Sequence, residues 1–364
     1  MGWLGRLGSR SKGGGGCDFD SLSSAAVAER VLGIMAGDSI PGIDQKRPLN
    51  EQLETLYLSV RASLENRERD QDWVTAVLAL GDAWTAIGCD EEAVQAFCLA
   101  AGALGDSLEG ARTHLSRALV LARLGRFEEA LGASDLARAI AGDRDALLTA
   151  RCDLARGGAF LEMHALKDAI SACIAAREVF ASNDMLLDAA RCDMLQGIAL
   201  ARLGYPIKAI AVFETTSRSF RRHGEHVDAA VCLLNRGAAL GNLTRRNHEE
   251  VLAYVKARAR QVNERRSDIS LTLVWAMGSF VQAKDIFAGY DRQDHLTSCE
   301  HLFSTGLRTL MFYRPGVRSS ERYGASFVDH YHEQYHKFLE AGDEPMVACD
   351  HAAGLADTFG TVHS

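Results

Sequence analysis

Hydrophobic and small residues recur at helical spacing over most of the chain. Four of them lie three or four positions apart and therefore share one side of a helix: Val77, Leu80, Gly81 and Trp84. A break follows at Gly88-Cys89-Asp90, and acidic residues then begin a second segment with Ala93 and Phe97 on its apolar side. The pattern predicts two helices joined by a tight turn.

The same hairpin pattern returns along the chain. Cys152, Cys192 and Cys232 are 40 residues apart, and each is followed five positions later by a glycine. A second series keeps step with the first and consists of Ala93, Ala130, Ala169 and Ala209. Fixed periods of this length indicate an array of similar structural units. We expect these glycines, and Gly81 of the first unit, to lie where the two helices of a unit approach closely, because a larger side chain there would separate them.

One unit carries a fuller signature, formed by Gly81, Trp84, Gly88, Ala93, Phe97 and Ala100. It resembles the tetratricopeptide repeat, although these units are several residues longer than the usual 34. The resemblance implies an all-α, right-handed superhelical solenoid of antiparallel helix hairpins, with about sixteen helices. The predicted organisation is a Gly-rich basic tail (1–20), capping helices (21–68), a repeat array with 37–40-residue units (70–245), and degenerate repeats with a C-terminal cap (246–358).

The C-terminal part has a second resemblance. Its residues include Arg318, Glu321, Arg322, Ser326, Phe327, Tyr331, Tyr335, Gly342, Asp343 and Ala348. This segment is similar to the last repeat before the caspase-like CHAT protease domain of bacterial proteins, but no such domain follows it here. The resemblance implies a bacterial protein that works with a CHAT-type protease or a signalling protein.

Composition and charge narrow the function classes. The chain has 40 Lys+Arg against 48 Asp+Glu, and this acidic balance argues against general nucleic-acid binding. No apolar run approaches the ~18 residues of a membrane span, so we expect no stable membrane insertion. The nine cysteines include no CxxC pair, and residues 1–20 lack the apolar core of a secretory signal. We therefore expect a cytoplasmic protein.

Three arginines recur at one repeat position on successive first helices: Arg112, Arg151 and Arg191. First helices line the concave surface of tetratricopeptide arrays, so the resemblance implies that these arginines bind carboxylates of an acidic or C-terminal peptide. Apolar residues on the same helices could form a groove for a partner helix: Leu115, Leu119, Leu154, Met194, Ile198 and Leu234. The alternative is that the arginines pair with acidic residues of neighbouring units, such as Asp153 and Asp193.

His332-Glu333-Gln334-Tyr335-His336 is an HExxH sequence and raises the alternative of a zinc-dependent metallohydrolase. Glu340 lies too far along a helix to join both histidines on one ion, and Leu339 and Gly342 do not fit the metzincin continuation. We therefore predict no metal, no cofactor and no catalytic residue. The leading hypothesis is a non-enzymatic scaffold or adaptor with a protein or peptide partner, and a second alternative is a receptor for a small signalling peptide.

Overall fold

The computed structural model describes residues 48, 51–52, 55, 71–243, 248–261, 270–290, 292–313 and 337. They contain twelve α-helices and no strand, which confirms the predicted all-α class. The predicted tail (1–20) and most of the predicted capping segment (21–68) lie outside the described residues.

The helices are α1 Gln71–Ile87, α2 Asp90–Leu104, α3 Leu108–Arg123, α4 Phe127–Ala141, α5 Ala146–Glu162, α6 Leu166–Ser182, α7 Leu186–Arg202, α8 Pro206–Arg222, α9 His226–Leu243, α10 His248–Gln261, α11 Ser270–Gly289 and α12 Gln293–Tyr313. A short 3₁₀ helix, Gly142–Arg144, precedes α5. Several turns within hairpins have glycine where the backbone is left-handed, as at Gly88 (φ 79°) and Gly204 (φ 86°), whereas the α5–α6 turn has His164 (φ 59°) there.

The chain divides into two compact units, Met1–Ala159 and Phe160–Ser364. In the first unit, α1 to α4 pack one on the next, and the core is built from Trp73, Leu80, Trp84 and Phe97. Gly81 lies directly under the ring of Phe97, since a Cβ atom added to it would be 2.8 Å from Phe97 Cε1. The close approach predicted for this glycine is confirmed.

In the second unit, α7 and α8 form a hairpin with the same contact. A Cβ atom on Gly197 would lie 2.7 Å from Phe213 Cε1, so the glycine leaves a notch that the ring fills. Phe213 and Phe220 of α8 are fully buried in this unit's core. We call this glycine–phenylalanine contact the notch contact.

The next notch contact joins α9 to α11, and α10 lies between them in sequence. A Cβ atom on Gly237 would be 2.5 Å from Phe280 Cε1. Arg236 contacts Ser279, whereas Ala230 clusters with Phe287, so residue numbers fall along α9 as they rise along α11. The two helices are therefore antiparallel, like the helices of an ordinary hairpin.

The spacing identifies α10 as part of an insertion. Gly197 and Phe213 are 16 residues apart, whereas Gly237 and Phe280 are 43 apart, which corresponds to 27 additional residues. The buried faces of α8 and α11 otherwise match, with Ala209, Phe213 and Phe220 on α8 and Ala276, Phe280 and Phe287 on α11. The regular hairpin pattern thus resumes in α11, within the segment predicted to hold degenerate repeats.

Arginines at the ends of α3 and α7 form hydrogen bonds with the first helix of the preceding hairpin. Arg123 Nη2 donates to Thr85 O at 3.3 Å and pairs with Asp90, while Arg202 Nη1 donates to Leu161 O at 2.8 Å. Both carbonyls lie in the last turn of the preceding first helix and also accept from a turn amide, Gly88 N at 3.4 Å and His164 N at 3.3 Å, so each arginine adds a second hydrogen bond there. The sequence signal was the Ala-Arg-Leu-Gly segment, present at 122–125 and at 201–204.

Candidate partner-binding face

The three predicted arginines occupy equivalent places near the start of their helices. Arg112 lies on α3 and Arg151 on α5, both in the first unit, whereas Arg191 lies on α7 in the second unit. Their side chains reach solvent: that of Arg112 is 62% exposed and that of Arg191 is 42% exposed. Arg151 is also exposed, and no partner is found for it within the described part of the chain.

Two of the arginines make ion pairs, but with other acids than those suggested. Arg112 Nη2 lies 3.3 Å from Asp145 Oδ2. Arg191 Nη1 lies 2.9 Å from Asp188 Oδ1, and its Nε lies 3.9 Å from Asp228 Oδ2 on the next first helix. Burial raises the pKa of the Asp228 carboxyl above its ordinary value, and the nearby Arg191 opposes this shift.

The two suggested aspartates have different partners. Asp153 Oδ1 pairs with Arg138 Nε at 2.9 Å and with Arg156 Nη1 at 2.8 Å. Asp193 Oδ1 pairs with Arg177 Nε at 2.6 Å. The Arg138–Asp153 and Arg177–Asp193 pairs each join a second helix to the following first helix. None of these pairs involves Arg112, Arg151 or Arg191.

The apolar residues on the first helices differ in exposure. Leu119 is 53% exposed, whereas Leu115 is buried in a cluster of the first unit and cannot contact a partner. Leu154 is half-buried. In the second unit Met194, Ile198 and Leu234 are half-buried against the core and keep part of their surface in solvent.

We call the accessible residues on these helices the first-helix stripe. It consists of Arg112, Leu119, Arg151 and Leu154 in the first unit and Arg191, Met194, Ile198 and Leu234 in the second. Each part combines a guanidinium group with apolar surface one or two helical turns further along the helix. Such a surface can bind a carboxylate and an apolar side chain of the same ligand.

The repeated cysteines are core residues. Cys152, Cys192 and Cys232 are at most 1% exposed, so they are small buried residues. Burial raises the pKa of the Cys152 and Cys192 thiols to about 12, so neither is a nucleophile at neutral pH. Cys299 of α12 continues the series once the insertion is taken into account, because it is also buried and lies 67 residues after Cys232.

Metal binding and membrane insertion are not supported by the described residues. They contain no group of three His, Cys, Asp or Glu side chains placed to hold a metal ion, and the HExxH at 332–336 lies outside them. None of the described helices has the length and apolar character needed to cross a bilayer. An open depression beside the α1–α2 turn contains Asp90 and Glu91, and both pair with arginines.

No protein-family model matches the sequence, and neither does any curated protein. A signal transduction ATPase with numerous domains (STAND) and a tetratricopeptide repeat sensor, from Pyrococcus horikoshii, has a similar structure, with a TM-score of 0.50 and 11% identity over 93% of this chain and 46% of that one. The apo form of RapI matches with a TM-score of 0.49 and 13% identity over 80% of this chain and 99% of that one. NprR in complex with its cognate peptide NprX matches with a TM-score of 0.41 and 12% identity over 84% and 87%. The chain therefore has the fold of tetratricopeptide-like helical repeat proteins.

Proposed function

We propose that this chain is a non-enzymatic interaction protein that holds a peptide or a partner helix on the part of the first-helix stripe that lies in either unit. The observation that carries the proposal is the exposure of Arg112, Arg151 and Arg191 at one repeat position, on the same helices as accessible apolar side chains. Leu119, which is 53% exposed, lies two helical turns after Arg112 on α3 and supplies apolar surface on the same helix as that guanidinium group.

The ion pairs of the stripe do not oppose this role. Solvent-exposed pairs such as Arg112–Asp145 contribute about 0–1 kcal/mol, so a ligand carboxylate can replace the aspartate at small cost. A planar guanidinium group binds a carboxylate through two hydrogen bonds, which fixes the orientation of the ligand. The favoured ligand is therefore an acidic or C-terminal peptide with at least one apolar side chain.

The class of partner is a further part of the proposal. The resemblance of residues 318–348 to the repeat before CHAT domains supports a CHAT-type protease or a signalling protein, and these residues lie outside the described part of the chain. A small peptide is the alternative ligand, as in NprR, which was solved with its cognate peptide. We place the protein in the cytoplasm of a bacterium on the sequence features alone.

The test is recovery of partners from native cells with the wild-type chain and with a triple variant, Arg112→Gln, Arg151→Gln and Arg191→Gln. Glutamine keeps much of the side-chain length and removes the charge. We expect each lost charge-assisted hydrogen bond to weaken binding by about tenfold or more. Mass spectrometry after denaturation separates a protein partner from a small peptide.

The control is Arg218→Gln, which removes an exposed arginine from α8, a second helix. Partners retained by the control and lost by the triple variant support the proposal, whereas equal recovery by all three proteins contradicts it. Zinc bound in stoichiometric amount and lost in His332→Ala/His336→Ala would instead favour the metallohydrolase.

A further inference from the structure

The inserted helix α10 covers a face of α11 that other second helices leave exposed. Trp275 of α11 is 1% exposed, whereas the equivalent Lys208 of α8 and Asp168 of α6 are exposed. The difference continues along the helix, because Gly278 is buried and its counterpart Ala211 is exposed. We call this side of α11, from Trp275 to Gln282, the covered face.

Four residues on one side of α10 make the contact. Val251 and Val255 are fully buried, and the ring of Tyr254 meets that of Trp275 edge-on with 6.4 Å between centroids. Arg258 extends past the covered face to α8, where its Nη2 lies 2.8 Å from Glu214 Oε1. The spacing of these four residues is that of an amphipathic helix bound in a groove.

The hairpin beneath α10 is complete without it. Gly237 holds the ring of Phe280, and Arg236 donates from Nε and Nη2 to Ser279 Oγ at 3.1 and 2.9 Å. These contacts join α9 directly to α11. A helix of 14 residues is only marginally stable by itself, so α10 depends on its few buried anchors.

The contact also leaves polar groups unsatisfied. Trp275 Nε1 and Gln282 Nε2 are buried and have no hydrogen-bond partner among the described residues. A buried donor without an acceptor weakens an interface, because it has lost its water and gained nothing in return. A helix that offered an acceptor at either position would bind the covered face better than α10 does.

We propose that the covered face, together with Glu214 of α8, is a docking groove for an amphipathic helix of a partner protein, and that α10 occupies it as an internal competitor. The partner helix carries two aliphatic anchors and an aromatic residue at the spacing of Val251, Tyr254 and Val255. A basic residue one turn later meets Glu214. This groove lies on second helices, so it is independent of the first-helix stripe and of the function proposed for it.

The first test measures how readily α10 leaves the groove. In hydrogen-exchange measurements on the full-length wild-type chain, we expect the amides of α10 to exchange at least tenfold faster than those of α9 and α11. Local opening of a displaceable element produces such a difference. Equal exchange rates in the three helices would show that α10 is an integral part of the hairpin and would overturn the proposal.

The second test supplies the occupant in trans. The probe is a fluorescein-labelled peptide of residues 248–261, titrated with the full-length variant Val251→Asp/Val255→Asp, in which α10 has lost its two buried anchors. We expect this variant to bind the peptide at least tenfold more tightly than the wild-type chain, whose own α10 competes. The matched control is Ala253→Asp/Ala257→Asp, which changes two exposed positions of the same helix and should behave like the wild type.

The variant must keep the helical circular dichroism of the wild-type chain. If it keeps that signal but binds the peptide no better than the wild type, the groove does not accept a helix in trans and the proposal fails. Loss of the helical signal throughout the chain would show that α10 is needed for folding, which would also overturn it.

Discussion

The hairpins α7–α8 and α9–α11 contain the same notch contact but are connected in very different ways. The first is closed by a three-residue turn, Leu203–Tyr205, whereas the second contains α10 and its connections between the paired helices. Closing a longer loop costs free energy that grows only slowly with its length, so 27 additional residues are tolerated. The glycine notch and the complementary ring therefore specify which two helices pair, whatever the length of the connection between them.

The two hairpins differ in one buried polar contact. In the interrupted hairpin, Ser279 Oγ accepts from the guanidinium group of Arg236, which is 8% exposed. The equivalent position on α8 is Val212, and the position equivalent to Arg236 on α7 is Gln196. The interrupted hairpin thus has a charged hydrogen bond where α7 and α8 have a Gln–Val pair, and such a bond is stronger in a site shielded from water.

The largest predicted effect concerns the notch contact itself. Phe213→Ala and Phe280→Ala should each destabilise their hairpin by about 3–5 kcal/mol, because both rings are buried and a cavity remains. Native-state hydrogen exchange of α7, α8, α9 and α11 measures the two losses separately. This local readout is needed because a chain of two units need not unfold in one step.

Leu186→Ala is the control for this measurement, since Leu186 is 50% exposed and its truncation should change stability by less than about 0.5 kcal/mol. If Phe280→Ala costs less than half of what Phe213→Ala costs, the two notch contacts are not equivalent. The pairing of α9 with α11 would then depend on α10 and not on the notch.

A smaller effect is expected at the polar contact that only the interrupted hairpin has. Ser279→Ala removes the hydroxyl that accepts two hydrogen bonds from Arg236 and should cost about 1–3 kcal/mol. The matched control is Ser217→Ala on α8. Both serines are buried and donate to a carbonyl of their own helix, Ser279 to Trp275 O at 2.7 Å and Ser217 to Glu214 O at 3.3 Å.

The difference between the two serine variants therefore isolates the bond to Arg236. For Ser279→Ala we measure the loss of hydrogen-exchange protection in α9 and α11, and for Ser217→Ala the loss in α7 and α8. The difference between the two losses is the contribution of the bond to Arg236. Equal losses for both variants would mean that the guanidinium contact adds nothing to the pairing.

The sequence predicted the parts of the fold that repeat at constant spacing. The hairpins and the close approach at Gly81 and Gly197 follow from residue types that recur every 37 to 40 positions. The pairing of Gly237 with Phe280 did not follow, because the insertion shifts the period. The sequence does contain the repeat residues of this hairpin, namely Cys299 and the Ala276-Phe280-Phe287 spacing. They match the earlier repeats only when the 27 inserted residues are left out of the count.

The first-helix stripe was predicted less completely, because its exposure depends on neighbours that are distant in sequence. Leu115 and Leu119 look alike in the sequence, yet the first is packed in a core cluster and the second is 53% exposed. Likewise, no local pattern shows that Arg112 would pair with Asp145 rather than with Asp153. Those choices are made by tertiary packing.

The smallest predicted effect concerns α10, which only one of the two hairpins has. Burial, and secondarily the charge of Glu214, raises the pKa of Tyr254 to about 12, while Arg258 and Arg236 oppose the shift. The unfolded phenol ionises near pH 10, so the native state favours the neutral form. This contribution to stability is complete below pH 10 and is lost as the pH rises from 10 to 12.

Tyr254→Phe removes this pH dependence. Between pH 8 and pH 11 the free energy of unfolding of the wild type should therefore fall by about 1 kcal/mol relative to that of the variant. Phenolate absorbance of the two proteins gives the pKa directly, and Tyr205→Phe controls for loss of a hydroxyl group at an exposed position.

A phenol in an opened α10 ionises at its ordinary pKa, so a native pKa near 12 requires α10 to be open less than about 1% of the time. Titration near pH 10 would mean more frequent opening, and the covered face would then be accessible to a partner without displacement of α10.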